Sequence, residues 1–125
     1  MAKKDDRPID VGLAALNGND ETAAIAFWKK RFELIAAIPS DVARVGALTP
    51  QLRELTRMAN DVERERLTRA RIVAFAQLAP DVKQKIVDAR KAAWNVDKGV
   101  LEKDQALVEK ILPTIDASVR SAYPS

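Results

Sequence analysis

The sequence predicts an all-α fold, an antiparallel helical bundle. Three observations carry this reading. Between its prolines the chain is rich in Ala, Leu, Arg, Lys and Glu, all strong helix formers. Strand-type alternation of apolar and polar residues is sustained nowhere. The six prolines, Pro8, Pro39, Pro50, Pro80, Pro113 and Pro124, punctuate apolar-periodic segments. Proline opens helices well and breaks their interiors, so these positions read as boundaries.

The elements follow in order. Residues 1–8 read as a disordered tail, and 9–125 as a single domain, in keeping with a length of 125 residues. In 9–17, Val11, Leu13 and Leu16 fit a short helical turn that Gly18 ends. The first principal helix covers about 20–38, with Asn19 or Asp20 as N-cap. Ser40-Asp41 opens a short helical turn that Gly46 stops. Thr49-Pro50 supplies a start signal, N-cap followed by Pro at the first helical position, for a second principal helix over 50–79. Pro80 opens the third, over 80–112, and Pro113 kinks off a short segment at 114–122. No internal repeat and no low-complexity stretch is read.

Helical phase, at about 100° per residue, assigns the faces. The first helix has a wide apolar arc built from Ile25, Trp28, Phe32 and Ile35. The second carries Leu52, Leu55, Met58, Val62, Ala70 and Val73, interrupted by Arg66 and Arg69. The third carries Val82, Ile86, Ala89, Ala93, Val100, Leu107 and Ile111, with Asp97 and Asp104 on the same face. Arg66, Arg69, Asp97 and Asp104 are therefore candidates for a buried ionic layer, since charges on facing apolar stripes must pair. The competing reading is a helix break across Asn95-Val96-Asp97-Lys98-Gly99, which resets the phase and leaves Asp97 in a wet turn.

Two helices of about 45 Å and one of about 30 Å would not cover one another. An apolar strip left bare marks an interaction site, which predicts a two-fold dimer. The competing expectation is a monomer whose short segments close the core.

The residue types exclude much chemistry. The chain has no histidine and no cysteine. That removes His- and Cys-dependent catalysis, disulfides, and His- or Cys-ligated metals and clusters. A helical Mg²⁺ site would want Glu-x-x-Glu pairs, and none occurs; Asp97, Asp104 and Glu63 do not make such a set. The four glycines, Gly12, Gly18, Gly46 and Gly99, stand alone, so no phosphate loop is present. The net charge is +3. No apolar run reaches the ~20 residues of a membrane span, and the start, Met1 to Pro8, is polar and lacks a secretory pattern. The expectation is a cytoplasmic protein without catalytic residues, cofactor or metal.

Three features remain as candidate binding surfaces. Arg53, Arg57, Arg64 and Arg71 fall within one narrow arc of the second helix and read as an anion or partner ridge, guanidinium forks being suited to phosphate and carboxylate. The plainer reading is a solvated face with intrahelical ion pairs to the flanking Glu54, Asp61, Glu63 and Glu65. The cluster Phe27-Trp28-Lys29-Lys30-Arg31-Phe32 could meet bases or a membrane surface, but its aromatic spacing is that of a core stripe. Trp94 is a candidate interface anchor, or else packs internally.

The functional expectation is a non-enzymatic interaction module, a small subunit, adaptor or assembly factor that buries an apolar helix face against another protein chain. The alternative is a nucleic-acid-binding or regulatory protein that uses the arginine ridge.

Overall fold

The structure, a computed structural model, describes residues 21–123. The tail expected at 1–8 and the turn expected at 9–17 lie outside these residues. Among the described residues there are six α-helices: α1 (Glu21–Ala36), α2 (Asp41–Thr56), α3 (Asp61–Ala76), α4 (Pro80–Val96), α5 (Lys98–Ile111) and the short α6 (Ala117–Ser121). A 3-10 turn, Leu112–Thr114, joins the last two. No strand occurs among the described residues. The all-α antiparallel bundle is present, but it is not built on three principal helices.

Two boundaries account for the difference. The helix expected over 50–79 starts nine residues earlier, at Asp41, and breaks at 57–60. Gly46 and Pro50 both sit inside α2. Ser40 is the true cap, accepting from the Ala43 N–H at 3.2 Å. Pro50 lies on the exposed side, so its missing N–H costs the helix a bond at the solvent face, where water can replace it. The break comes at Met58-Ala59-Asn60. The Asn60 backbone turns extended and its side chain accepts from the Glu63 N–H at 2.9 Å, starting α3.

The helix expected over 80–112 is also two helices, as the alternative reading of 95–99 had it. Asp97 leaves helical geometry at φ −146°, donates its N–H to the Ala93 carbonyl at 2.9 Å, and accepts from the Val100 N–H at 3.3 Å. One residue thus ends α4 and caps α5.

Residues 21–82 repeat every 20 residues, where the sequence reading finds no repeat. The helices α1, α2 and α3 start at Glu21, Asp41 and Asp61. Their corners read Ile38-Pro39-Ser40-Asp41-Val42, Met58-Ala59-Asn60-Asp61-Val62 and Leu78-Ala79-Pro80-Asp81-Val82. The buried columns agree as well: Phe32, Leu52 and Ile72; Ile35, Leu55 and Phe75; and a buried polar column of Arg31, Gln51 and Arg71. The last column explains why hydrophobicity alone hides the period, because a polar residue stands where a core residue is expected.

Packing alternates. The helix α1 packs chiefly on α3, α2 on α4, and α3 on α5, while consecutive helices meet little. The main core is shared by α1 to α4, with Leu101 of α5. A second cluster, Ile72, Val108, Ile111 and Ile115, closes the far side of α3. Between them runs an aromatic line: Phe27 to Trp28 at 5.8 Å, Trp28 to Phe32 at 5.7 Å, Phe32 to Phe75 at 6.3 Å, and Phe75 to Tyr123 at 5.3 Å between centroids. The Trp28–Phe32 stripe is therefore core, and Arg31 lies over the Phe27 ring at 5.5 Å. Five helices of nearly equal length, 14 to 17 residues, stand in place of the unequal set, so the argument from a mismatch of helix lengths does not apply.

Candidate functional site

Splitting the second helix at 57–60 divides the arginine ridge between two elements. Arg53 and Arg57 end α2, whereas Arg64 and Arg71 belong to α3. Arg53 holds Asp97 at 2.9 Å across the fold. Arg57 is exposed beside it and lines a polar hollow with Pro50, Arg53 and Glu54. Arg64 pairs with Asp61 and donates to the Met58 carbonyl at 2.6 Å. Arg71 points inward and is 3% exposed.

The buried ionic layer exists with a different membership. Asp104 is fully buried, and Arg71 Nη2 lies 2.9 Å from its Oδ1. Arg90 of α4 holds the other carboxylate oxygen and donates to Gln105 Oε1 at 2.9 Å. The expected Arg66 pairs instead with Glu63 at 2.8 Å, one turn away on its own helix. Arg69 reaches Thr114 Oγ1 at 3.5 Å. Asp97 serves the α4–α5 corner, 29% of its side chain exposed.

The electrostatics follow the geometry. Burial works against the Asp104 charge, but Arg71 and then Arg90 outweigh it and hold the carboxyl below its ordinary range. Burial likewise opposes the Arg71 charge, and Asp104, followed by Tyr123, raises its pKa. Asp97 is lowered by its hydrogen bond from Arg53 and then by the Val100 N–H.

Arg90 was not among the expected members. Its signal is present once the break at Asp97 is accepted, because Arg90 and Asp104 stand seven residues either side of it and a hairpin there brings them level.

An apolar groove lies between the first half of α2 and the end of α4. Its volume is about 420 Å³, within the range of binding clefts. Val45, Thr49 and Ala92 line it, Gly46 and Pro50 lie along it, and Val42 and Val96 stand at its rim. Val42 is 82% exposed and Val96 68%. Asp41 marks one end and Arg53 the other. A Cβ added at Gly46 would meet nothing within 4 Å, so the chain's own packing does not require glycine there. Trp94 is half-buried and packs against the main core rather than into this groove.

Among the described residues no three acidic side chains converge to hold a metal ion, and no helix is long and apolar enough to cross a membrane. Compared with protein-family models, with curated proteins and with solved structures, the chain matches none.

Proposed function

We propose that the protein is a non-enzymatic interaction module whose working surface is the α2–α4 groove, and that the groove takes a second copy of the chain about a two-fold axis. The observation that carries this is Gly46. An interior helical glycine weakens a helix by roughly 0.5–1 kcal/mol relative to alanine. Here the space above it is open and apolar. A glycine so placed lets another backbone approach closely, with Val42 and Val96 closing over the contact.

Charge placement favours a second copy as the occupant. Asp41 and Arg53 lie 12 residues apart at the two ends of the groove, about 18 Å along the helix axis. An antiparallel pairing of α2 with its symmetry mate sets each Asp41 opposite the other copy's Arg53. It sets Gly46 near the crossing point. Such self-complementarity is what a two-fold contact requires.

The groove is modest, so the association belongs to the weak, concentration-dependent class. The ridge reading has less support, because Arg64 and Arg71 are engaged within the fold and the corner at 57–60 parts them from Arg53 and Arg57.

The test is solution mass by size-exclusion chromatography with light scattering, over about 10 μM to 1 mM protein, spanning the weak range. The expected result is a rise from 13.8 kDa towards twice that value, little changed by salt. Gly46→Trp, which fills the groove, is expected to stay folded and monomeric. A wild-type mass fixed at 13.8 kDa across the range overturns the proposal.

A further inference from the structure

The Arg71–Asp104–Arg90 group sets two guanidinium charges against one buried carboxylate. Asp104 is fully buried, Arg71 is 3% exposed and the Arg90 side chain 19%. Buried charges are ordinarily matched, because an unmatched one is costly away from water. Asp104 is the carboxylate that bears on Arg71, and Tyr123 is the other group beside it. The Arg71 Nε–H is enclosed and has no acceptor among the described residues.

A small cavity of about 30 Å³ lies against this group. Arg71, Arg90 and Tyr123 line it, and apolar side chains, among them Phe32, Leu52 and Ile86, form the rest of its wall. That volume suits one water molecule or one small ion. The two differ in what they need. A buried water donates as well as accepts, and wants two to four polar partners. The wall offers chiefly donors: the two guanidinium groups and the tyrosine hydroxyl. Asp104 does not line the cavity, and its two oxygens lie against the arginines.

We infer that this cavity is a binding site for a small monovalent inorganic anion of halide size, held by Arg71, Arg90 and Tyr123. The anion brings the buried group to neutrality and accepts where the site supplies chiefly donors. It ties α3, α4 and the segment after α6 together, since each contributes one of the three side chains. The site shares no residue with the α2–α4 groove and does not depend on how that groove is used.

The experiment uses the full chain. Thermal unfolding is followed in sodium chloride and in sodium gluconate at equal ionic strength, gluconate being too large for the cavity. The expected result is a melting temperature that climbs with chloride and follows the logarithm of its concentration once this exceeds the dissociation constant, as linkage to a site in the folded state requires. Gluconate gives only the shallow slope of general screening. Arg90→Gln removes the excess charge and is expected to abolish the chloride-specific part. Tyr123→Phe keeps both arginines and is expected to raise the chloride dissociation constant fitted to that rise about fivefold, the size of one lost hydrogen bond. It serves equally if Arg90→Gln does not fold. In bromide-soaked crystals, anomalous density is expected beside Arg71 Nε.

Equal slopes in the two salts overturn the inference, as does a chloride effect unchanged in a folded variant. Bromide peaks on the surface alone mean an adventitious ion only, and also overturn it.

Discussion

Arg71 on α3 and Asp104 on α5 form the deepest ion pair among the described residues, Nη2 to Oδ1 at 2.9 Å with both side chains out of water. Such a pair stabilises little relative to a well-packed apolar replacement, yet losing one partner is severe. Asp104→Ala leaves Arg71 and Arg90 facing each other without a carboxylate. The expected loss is about 3–5 kcal/mol, a large share of the stability of a small domain. Urea unfolding monitored by tryptophan fluorescence checks it. Replacing the trio together, Arg71→Met with Asp104→Leu and Arg90→Met, is expected to restore most of the loss.

The same carboxylate sets the acid limit of the fold. Its folded pKa is lowered, chiefly because Arg71 and Arg90 overcome the burial that opposes its charge. A lowered folded pKa contributes stability that is present above the unfolded value, about 3.9, and is lost as pH falls through the folded one. Asp97 and Asp116 are shifted in the same direction, the first by Arg53 and the second by Ser118. With no histidine in the chain, no side chain ordinarily titrates near neutrality. Stability measured by urea unfolding should therefore be level between about pH 5 and 8 and fall steeply below about pH 4.

Arg44 and Arg64 do the same work in successive repeats. Each reaches back across the preceding corner to a backbone carbonyl, Ile38 or Met58, and to an aspartate three residues before it, Asp41 or Asp61. The carbonyl bonds are half-buried, while the two aspartates have side chains 90% and 75% exposed. The carbonyl bond should dominate. Arg64→Ala is expected to cost about 1 kcal/mol, whereas Asp61→Asn should cost under about 0.5. Thermal unfolding of the two variants separates the contributions, and Arg44→Ala should repeat the first result.

How much of this was legible in the sequence differs by element. The helix class, the Trp28–Phe32 core stripe and the start of α4 at Pro80 follow from composition and local rules. The α2–α3 boundary was harder, because Pro50 gives a strong start signal that tertiary packing overrides. The real signal at Asn60, with Glu63 three residues on, is weaker by comparison. That one boundary carried the rest with it. A continuous helix over 50–79 puts Arg71 on the same arc as Arg53, while a helix restarted at Asp61 turns it inward to Asp104. The pairing of charges on facing stripes names Asp104 but not Arg71 or Arg90, and it adds Arg66, Arg69 and Asp97, which lie elsewhere. A search for apolar periodicity passes over the repeat because its most regular column is polar: Arg31, Gln51 and Arg71 are each buried.

Gly46 carries two predictions, one on the stability of the single chain and one on its association. In the single chain its replacement by alanine meets no neighbour, and the backbone there has no positive φ. Gly46→Ala should therefore stabilise the monomer by about 0.5–1 kcal/mol, through helix propensity and reduced freedom of the unfolded chain. If two copies of α2 cross at this point, the added methyl group also holds them apart. The variant should then melt higher when dilute, yet associate less when concentrated. Differential scanning calorimetry at low concentration and sedimentation equilibrium at high concentration read the two effects separately. A variant that is more stable and associates as well as the wild type would place the crossing elsewhere on the surface. The opposite movement of the two quantities would mean that this glycine is kept for the contact and not for the fold.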